Sequence, residues 1–170
     1  MRHIKLFEEF VGEGINDPGI LKAFFMAGGP GSGKSYVAAE LFGIPQEKMS
    51  SVSYDLGLKL VNSDNNFELL LKKANIEMGE LMKLKEDPKK WAEAMKLRDK
   101  AKKMTKSAQN HYVNGKLGMI IDGTGKNYGK IENQVKELRE LGYDCYMVFV
   151  NTSKDVALDR NNNRPRKLPE

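Results

Sequence analysis

Eight consecutive residues, Gly28-Gly29-Pro30-Gly31-Ser32-Gly33-Lys34-Ser35, fit the pattern G-x-x-x-x-G-K-[ST]. Each residue type in that spacing has a chemical task. Glycines let backbone N–H groups turn inward around a phosphate, and a helix starting at the end of the loop adds its positive dipole end. The lysine reaches the β- and γ-phosphates, and the hydroxyl after it can ligate Mg²⁺. The loop therefore predicts nucleoside triphosphate binding, with Gly28 through Ser35 as the cradle, Lys34 on the phosphates and Ser35 on the metal.

Any chemistry beyond binding has to come from other residues. Asp64 lies just past an apolar segment, at what would be the carboxyl edge of a sheet, where a carboxylate can accept the proton of an attacking hydroxyl. The run Asn62-Ser63-Asp64-Asn65-Asn66 also suits a turn or helix entry, in which short polar side chains bond local backbone. Asp122 ends a second apolar segment and can hold a Mg²⁺-bound water or orient an acceptor. Thr124 can hydrogen-bond the acceptor, and a simple strand-to-turn connection accounts for the same pair. Arg160 and Arg164 are four apart and share a helix face, suited to a basic lid over a γ-phosphate or to a solvated terminus. Asp122 is followed by Gly123-Thr124-Gly125 rather than a water-activating acid, and N-K-x-D is absent. Both features favour an ATP-dependent transferase over a motor or a guanine-nucleotide switch.

These groups need elements to place them. Apolar runs at 20–27, 57–62, 118–122 and 145–150 read as strands, the first feeding the glycine loop. Helical spacing comes after each: Val37, Ala38, Leu41 and Phe42 up to Gly43; Phe67, Leu70, Leu71 and Ala74; Ile131, Val135, Leu138 and Leu141 up to Gly142. Asn65 with Glu68 suggests a capping box for the second helix. Asp87-Pro88 opens a helix reaching about Asn114. Its apolar stripe is Trp91, Ala94, Met95, Ala101, Thr105, Ala108 and Tyr112, with Arg98 inside it. A charged residue there either snorkels to the surface or faces an anion as part of an acceptor site. Thr152 or Ser153 caps a last helix carrying Arg160. Segment 2–10 has helical spacing and reads as an appendage, and 46–55 is ambiguous. Strands separated by helices imply an α/β fold: a parallel sheet between helix layers, with a helical insertion at 67–114.

At 170 residues the chain has the length of one domain; 40% hydrophobic and 30% charged residues exclude global disorder. The single cysteine, Cys145, cannot form an internal disulfide and reads as a small core residue. No apolar run reaches signal-peptide or membrane-span length, so the expectation is a soluble cytoplasmic protein without a membrane partner. The net charge of +5 suits anionic partners, and its local concentrations are Lys34 and the group Arg160, Arg164, Arg166 and Lys167.

Together the GGPGSGKS loop, Asp64 after the second strand, Asp122 and Thr124 after the third, and an arginine-bearing helix after the fourth resemble the P-loop kinases of the polynucleotide kinase and zeta-toxin group, over about 20–167. That resemblance implies a three-layer P-loop NTPase fold and transfer of the γ-phosphoryl group of ATP, with Mg²⁺, to a hydroxyl. Asp64 would be the base, Lys34, Arg160 and Arg164 would sit on the phosphates, and Ser35 on the metal. Members of the group have a fifth strand and a last helix after the lid, so the chain reads as a minimal version or a fragment. The acceptor is a nucleic-acid 5′-OH, a nucleoside, a sugar nucleotide or a protein, with the basic balance tilting toward nucleic acid. GGPGSGK and Asp122-Gly123 also resemble nucleoside monophosphate kinases, and a nucleotide-binding protein without turnover is a third reading. The opening MRHIKLFEEF resembles that of many large-phage proteins.

Overall fold

The computed structural model describes residues 17, 19–43 and 57–163. The segments 2–10 and 46–55, and with them Arg164, Arg166 and Lys167, lie outside the described residues. In chain order the elements are β1 (Lys22–Ala27), α1 (Lys34–Phe42), β2 (Lys59–Val61), α2 (Ser63–Lys73), α3 (Pro88–Asn114), β3 (Met119–Asp122), α4 (Tyr128–Glu140), β4 (Asp144–Phe149) and α5 (Lys154–Asn162). Two short 3₁₀ turns, Met78–Glu80 and Lys83–Glu86, join α2 to α3.

The four strands form one sheet in the order β2-β3-β1-β4, parallel throughout. Side chains alternate across it with the two-residue period of extended chain. Met26, Ile120, Val150 and Leu58 pack with Ala38 and Phe42 of α1 on one face. Ala23, Phe25, Val61 and Met119 pack with Leu138 of α4 and with Tyr143 on the other. The expected helix–sheet–helix layering is present. Its parallel direction leaves the strand ends at Ala27, Val61 and Asp122 on one edge, next to the chemistry-bearing residues.

The insertion between β2 and β3 has its own small core, in which Phe67, Leu70 and Leu71 of α2 close on Ala101 of α3. Asp87 caps α3 as expected, its carboxylate accepting from the N–H groups of Lys89 and Lys90 at 3.0 and 3.3 Å, and Pro88 occupies the first turn. The capping box at Asn65 and Glu68 does not form. The cap is Asn62, still in extended conformation at the end of β2, whose side-chain oxygen accepts from Asp64 N at 2.7 Å. The helix thus begins straight off the strand, and Asp64 falls in its first turn rather than in a loop. At the edge of the sheet, β4 pairs only with β1 among the described residues, and Tyr146, Met147 and Phe149 are 46, 53 and 67% exposed. Among the described residues no helix is long and apolar enough to cross a membrane.

Candidate active site

The chain leaves β1 at Ala27 and turns through the glycine loop into α1. Gly31 has φ +77°, and a Cβ there would lie 2.3 Å from the backbone oxygen of Ala157 in α5. Gly33 caps α1 in the left-handed region, φ +95°. Only glycine adopts both conformations without strain and lets another segment approach this closely. That segment is the arginine-bearing helix. Arg160 Nη1 donates to Ser32 O at 3.4 Å and sits over the first turn of α1. Lys34 Nζ donates to Gly28 O at 2.8 Å and Gly29 O at 3.2 Å, so the ammonium closes on the loop's own carbonyls. Replacing Gly31 with alanine should force α5 off the loop, because the obstructing atom is backbone and cannot rotate aside. We expect a loss of about 1–3 kcal/mol in stability and faster proteolysis within α5; an unchanged melting temperature and cleavage rate would contradict the contact.

Beside the loop is a cavity of about 230 Å³ lined by Lys34, Ser35, Asn62, Asn65 and Asp122 over a floor that includes Met26 and Ile120. Asn62 Nδ2 donates to Asp122 Oδ2 at 2.9 Å, while Asp122 Oδ1 is buried with no hydrogen-bond partner. Burial pushes the Asp122 carboxyl above the ordinary carboxylate range; the Lys34 ammonium opposes this, and the Asp64 carboxylate adds to it. An orphaned carboxylate oxygen and a serine hydroxyl on one cavity fit a hard divalent cation, which takes oxygen ligands. Among the described residues no group of three or more His, Cys, Asp or Glu could hold a metal ion. Mg²⁺ would accordingly be shared between Ser35, Asp122 and phosphate oxygens.

Asp122→Asn tests this assignment by a change of sign. An acid whose folded pKa is raised contributes stability below its unfolded pKa and loses that contribution as pH rises through the folded value. At neutral pH the native carboxylate is therefore a burden, and an amide should relieve it. We expect the variant to be more stable than wild type at pH 7, on the order of 1–3 kcal/mol, with the advantage vanishing under acid conditions. Mg²⁺-dependent nucleotide affinity should fall in the same variant. A less stable variant at pH 7 would overturn the reading of Asp122 as a buried carboxylate kept for a cation.

Asp64 projects toward the insertion. Arg98 Nη1 lies 2.9 Å from Asp64 Oδ1, and the guanidinium carbon is 4.9 Å from the centre of the Phe67 ring. The charged residue within the apolar stripe of α3 is thus held by a carboxylate and an aromatic face. Asn66 Nδ2 donates to Thr105 Oγ1 at 2.8 Å nearby. These contacts fix the first turn of α2 against α3, so Arg98 orients Asp64 through a charge-assisted bond.

The remaining candidates lie elsewhere. Arg160 lines a cleft of about 780 Å³ between α1 and α5 with Tyr36, Asn151 and Thr152. Thr124 is not brought to the Lys34 cavity: it lines a groove of about 590 Å³ with Tyr128, Met147 and Phe149, between α4 and β4. Sequence reasoning missed Asn62 and Asn65 as site residues. The signal was the polar run directly after an apolar strand, read only for the aspartate in it.

The AAA_33 family model, described as an AAA domain, matches residues 24–170, which include the loop and all four strand ends. No curated protein sequence matches the chain significantly. Among solved structures, a chain of the PezAT chromosomal toxin–antitoxin system of Streptococcus pneumoniae superposes with a TM-score of 0.60 at 15% identity, over 94% of this chain and 62% of that one. A protein from Chloroflexus aurantiacus described as a candidate kinase gives 0.52 at 13% identity, over 84% and 65%. The chain spans less than two thirds of the length of either structure, and the likeness is one of fold. With a glycine-rich loop leading from a four-stranded parallel sheet into a helix and a family match from β1 onward, the chain belongs to the AAA domain family.

Proposed function

We propose that the protein is an ATP-dependent kinase that transfers the γ-phosphoryl group to a hydroxyl acceptor, with a nucleic-acid 5′-OH slightly favoured by the basic balance of the chain. The observation that carries this reading is geometric: Lys34, Ser35 and Asp122 line one cavity beside the glycine loop, and Asp64 stands in the first turn of the helix that leaves the neighbouring strand. In this scheme Lys34 and Arg160 neutralise charge on the β- and γ-phosphates, and the loop N–H groups fix the triphosphate. Ser35 and Asp122 would hold Mg²⁺, which when bound would further neutralise the phosphates. Asp64, oriented by Arg98, takes the proton of the acceptor hydroxyl as its oxygen bonds to the γ-phosphorus. The bond from that phosphorus to the bridging oxygen breaks, and ADP leaves with the electron pair. Phosphoryl transfer asks little covalent chemistry of a protein beyond such positioning and charge. Arg164, outside the described residues, is proposed as a second guanidinium for the phosphates.

The test is a transfer assay with γ-labelled ATP and Mg²⁺ against 5′-OH oligonucleotides, nucleosides, sugar nucleotides and the protein itself. Label on a hydroxyl acceptor supports the proposal. Label only on nucleoside monophosphates would move the reading to a monophosphate kinase, whose acceptor is already ionised. ATP binding without transfer to any of them would leave a nucleotide-binding protein without turnover.

A further inference from the structure

The chain's net positive charge resides on one helix, away from the phosphate loop. Between Lys89 and Lys106, α3 carries seven lysines and Arg98 against Glu93 and Asp99, or +6, while the whole chain is +5, so the rest of the chain is −1. The phosphate loop and lid are therefore not the source of the basic balance.

The lysines are ordered. At 3.6 residues per turn, Lys89, Lys96, Lys100 and Lys103 fall within an arc of about 60° over about 21 Å of helix. All four are exposed, and exposed Ser107 and Asn110 continue the arc. The opposite side of α3 holds Arg98, Ala101 and Thr105, which face α2. Among the described residues the ion pairs on the helix are Lys90 with Asp87, Arg98 with Asp64 and Lys102 with Asp99, and none reaches the four lysines. A helix that merely faces water usually mixes signs at i,i+3 and i,i+4, because like charges there destabilise it. Lys96, Lys100 and Lys103 form such a like-charged row; Glu93 and Asp99 border it at i,i+3 and i,i+4, and neither pairs with it among the described residues.

The chemistry of the face selects its partner. A membrane surface would need an apolar flank to insert, and the apolar side of α3 is already spent on α2. A protein interface would need an aromatic or aliphatic anchor, and the arc holds lysine, serine, alanine and asparagine. Several ammonium groups along one side of a rigid rod, without an apolar anchor among them, suit a polyanion that can be held by charge alone. We propose that this lysine face of α3 is a sequence-independent docking strip for the phosphate backbone of a nucleic acid. It lies on the far side of the helix from Asp64, so the strip holds a strand without presenting it for reaction, and it does not depend on the kinase reading.

Fluorescence anisotropy with a mixed-sequence single-stranded 20-mer, blocked at its 5′ end by the dye and without ATP, tests the strip on the full chain. Four phosphate contacts predict that log K falls with log salt at a slope of about −3, with little difference between sequences. The triple variant Lys96→Gln, Lys100→Gln, Lys103→Gln should reduce the slope to about −1 and weaken binding at least tenfold at low salt. Its ATP affinity and circular dichroism should match wild type, since all three residues are exposed and unpaired among the described residues. Lys34→Ala should bind the oligonucleotide as wild type does, which separates this proposal from any failure of the active-site reading. Absence of binding at low salt, equal binding by the triple variant, or equal competition by a polyglutamate of matched charge would each overturn the proposal. The last result would assign the face to an acidic protein instead.

Discussion

Asp64→Asn is expected to lower phosphoryl transfer by about 10²–10⁴-fold, the range a positioned general base contributes, while leaving ATP affinity within a factor of two or so. The asparagine has nearly the same shape, keeps an oxygen for Arg98 and leaves the Asn62 cap in place, because that cap bonds the backbone N–H of residue 64. What it removes is the ability to take a proton. Single-turnover kinetics with the acceptor found in the transfer assay would read the chemical step directly. Equal rates in variant and wild type would remove Asp64 from the chemistry and leave it as the residue that ties α2 to α3. Arg98→Lys is the companion measurement. A lysine keeps the charge but loses the planar fork and the stacking on Phe67. If Arg98 only positions the base, the rate should fall less than in Asp64→Asn, with ATP affinity unaltered.

The second large effect is expected at Lys34. Its ammonium donates to Gly28 O and Gly29 O, so removing it opens two carbonyls at a partly solvated loop. Water can replace those bonds, and Lys34→Ala should lose no more than about 0.5–1.5 kcal/mol of stability. Nucleotide binding loses a hydrogen bond to a charged phosphate, on the order of 1.5–3 kcal/mol, or roughly 10- to 150-fold in ATP affinity. Calorimetric titration with MgATP, beside a thermal melt, separates the two. An unfolded variant would mean that Lys34 is a structural tie of the loop, and unaltered affinity would refute the placement of the triphosphate. Lys34→Arg should not restore binding, since a forked guanidinium cannot follow the path of a single ammonium between adjacent carbonyls.

Much of this arrangement was legible because it is local. The strands were readable as short apolar runs, and the loop as a fixed string of glycines before lysine and serine. The cap of α3 was readable as Asp87-Pro88. Each depends on neighbours in sequence. What the sequence could not yield are contacts made across it. Arg98 was an anomaly in a stripe until α2 brought Asp64 and Phe67 to it from about thirty positions away. The bond from Asn62 to Asp122 joins the ends of two neighbouring strands, and no spacing rule announces which side chains will meet there. The start of α2 was misplaced for a related reason: Asn65 and Glu68 carry the right types for a box, but Asn62 reached the same task first, directly off β2. Thr124 was grouped with Asp122 because only one residue separates them, yet the turn carries it round to the α4 side.

The outer edge of β4 has a practical meaning for anyone handling this protein. Cys145 to Val150 contains no charged side chain, and Tyr146, Met147 and Phe149 present apolar surface beside a row of peptide groups that no described strand pairs on its outer side. Strand edges in soluble proteins are usually guarded by a lysine, a proline or a bulge, and the run from Cys145 to Val150 has neither lysine nor proline. Colloidal behaviour should therefore be governed by this short stretch: turbidity and loss of titratable protein will begin there, rise with concentration, and be relieved by a single lysine at Met147 sooner than by any change of salt or nucleotide.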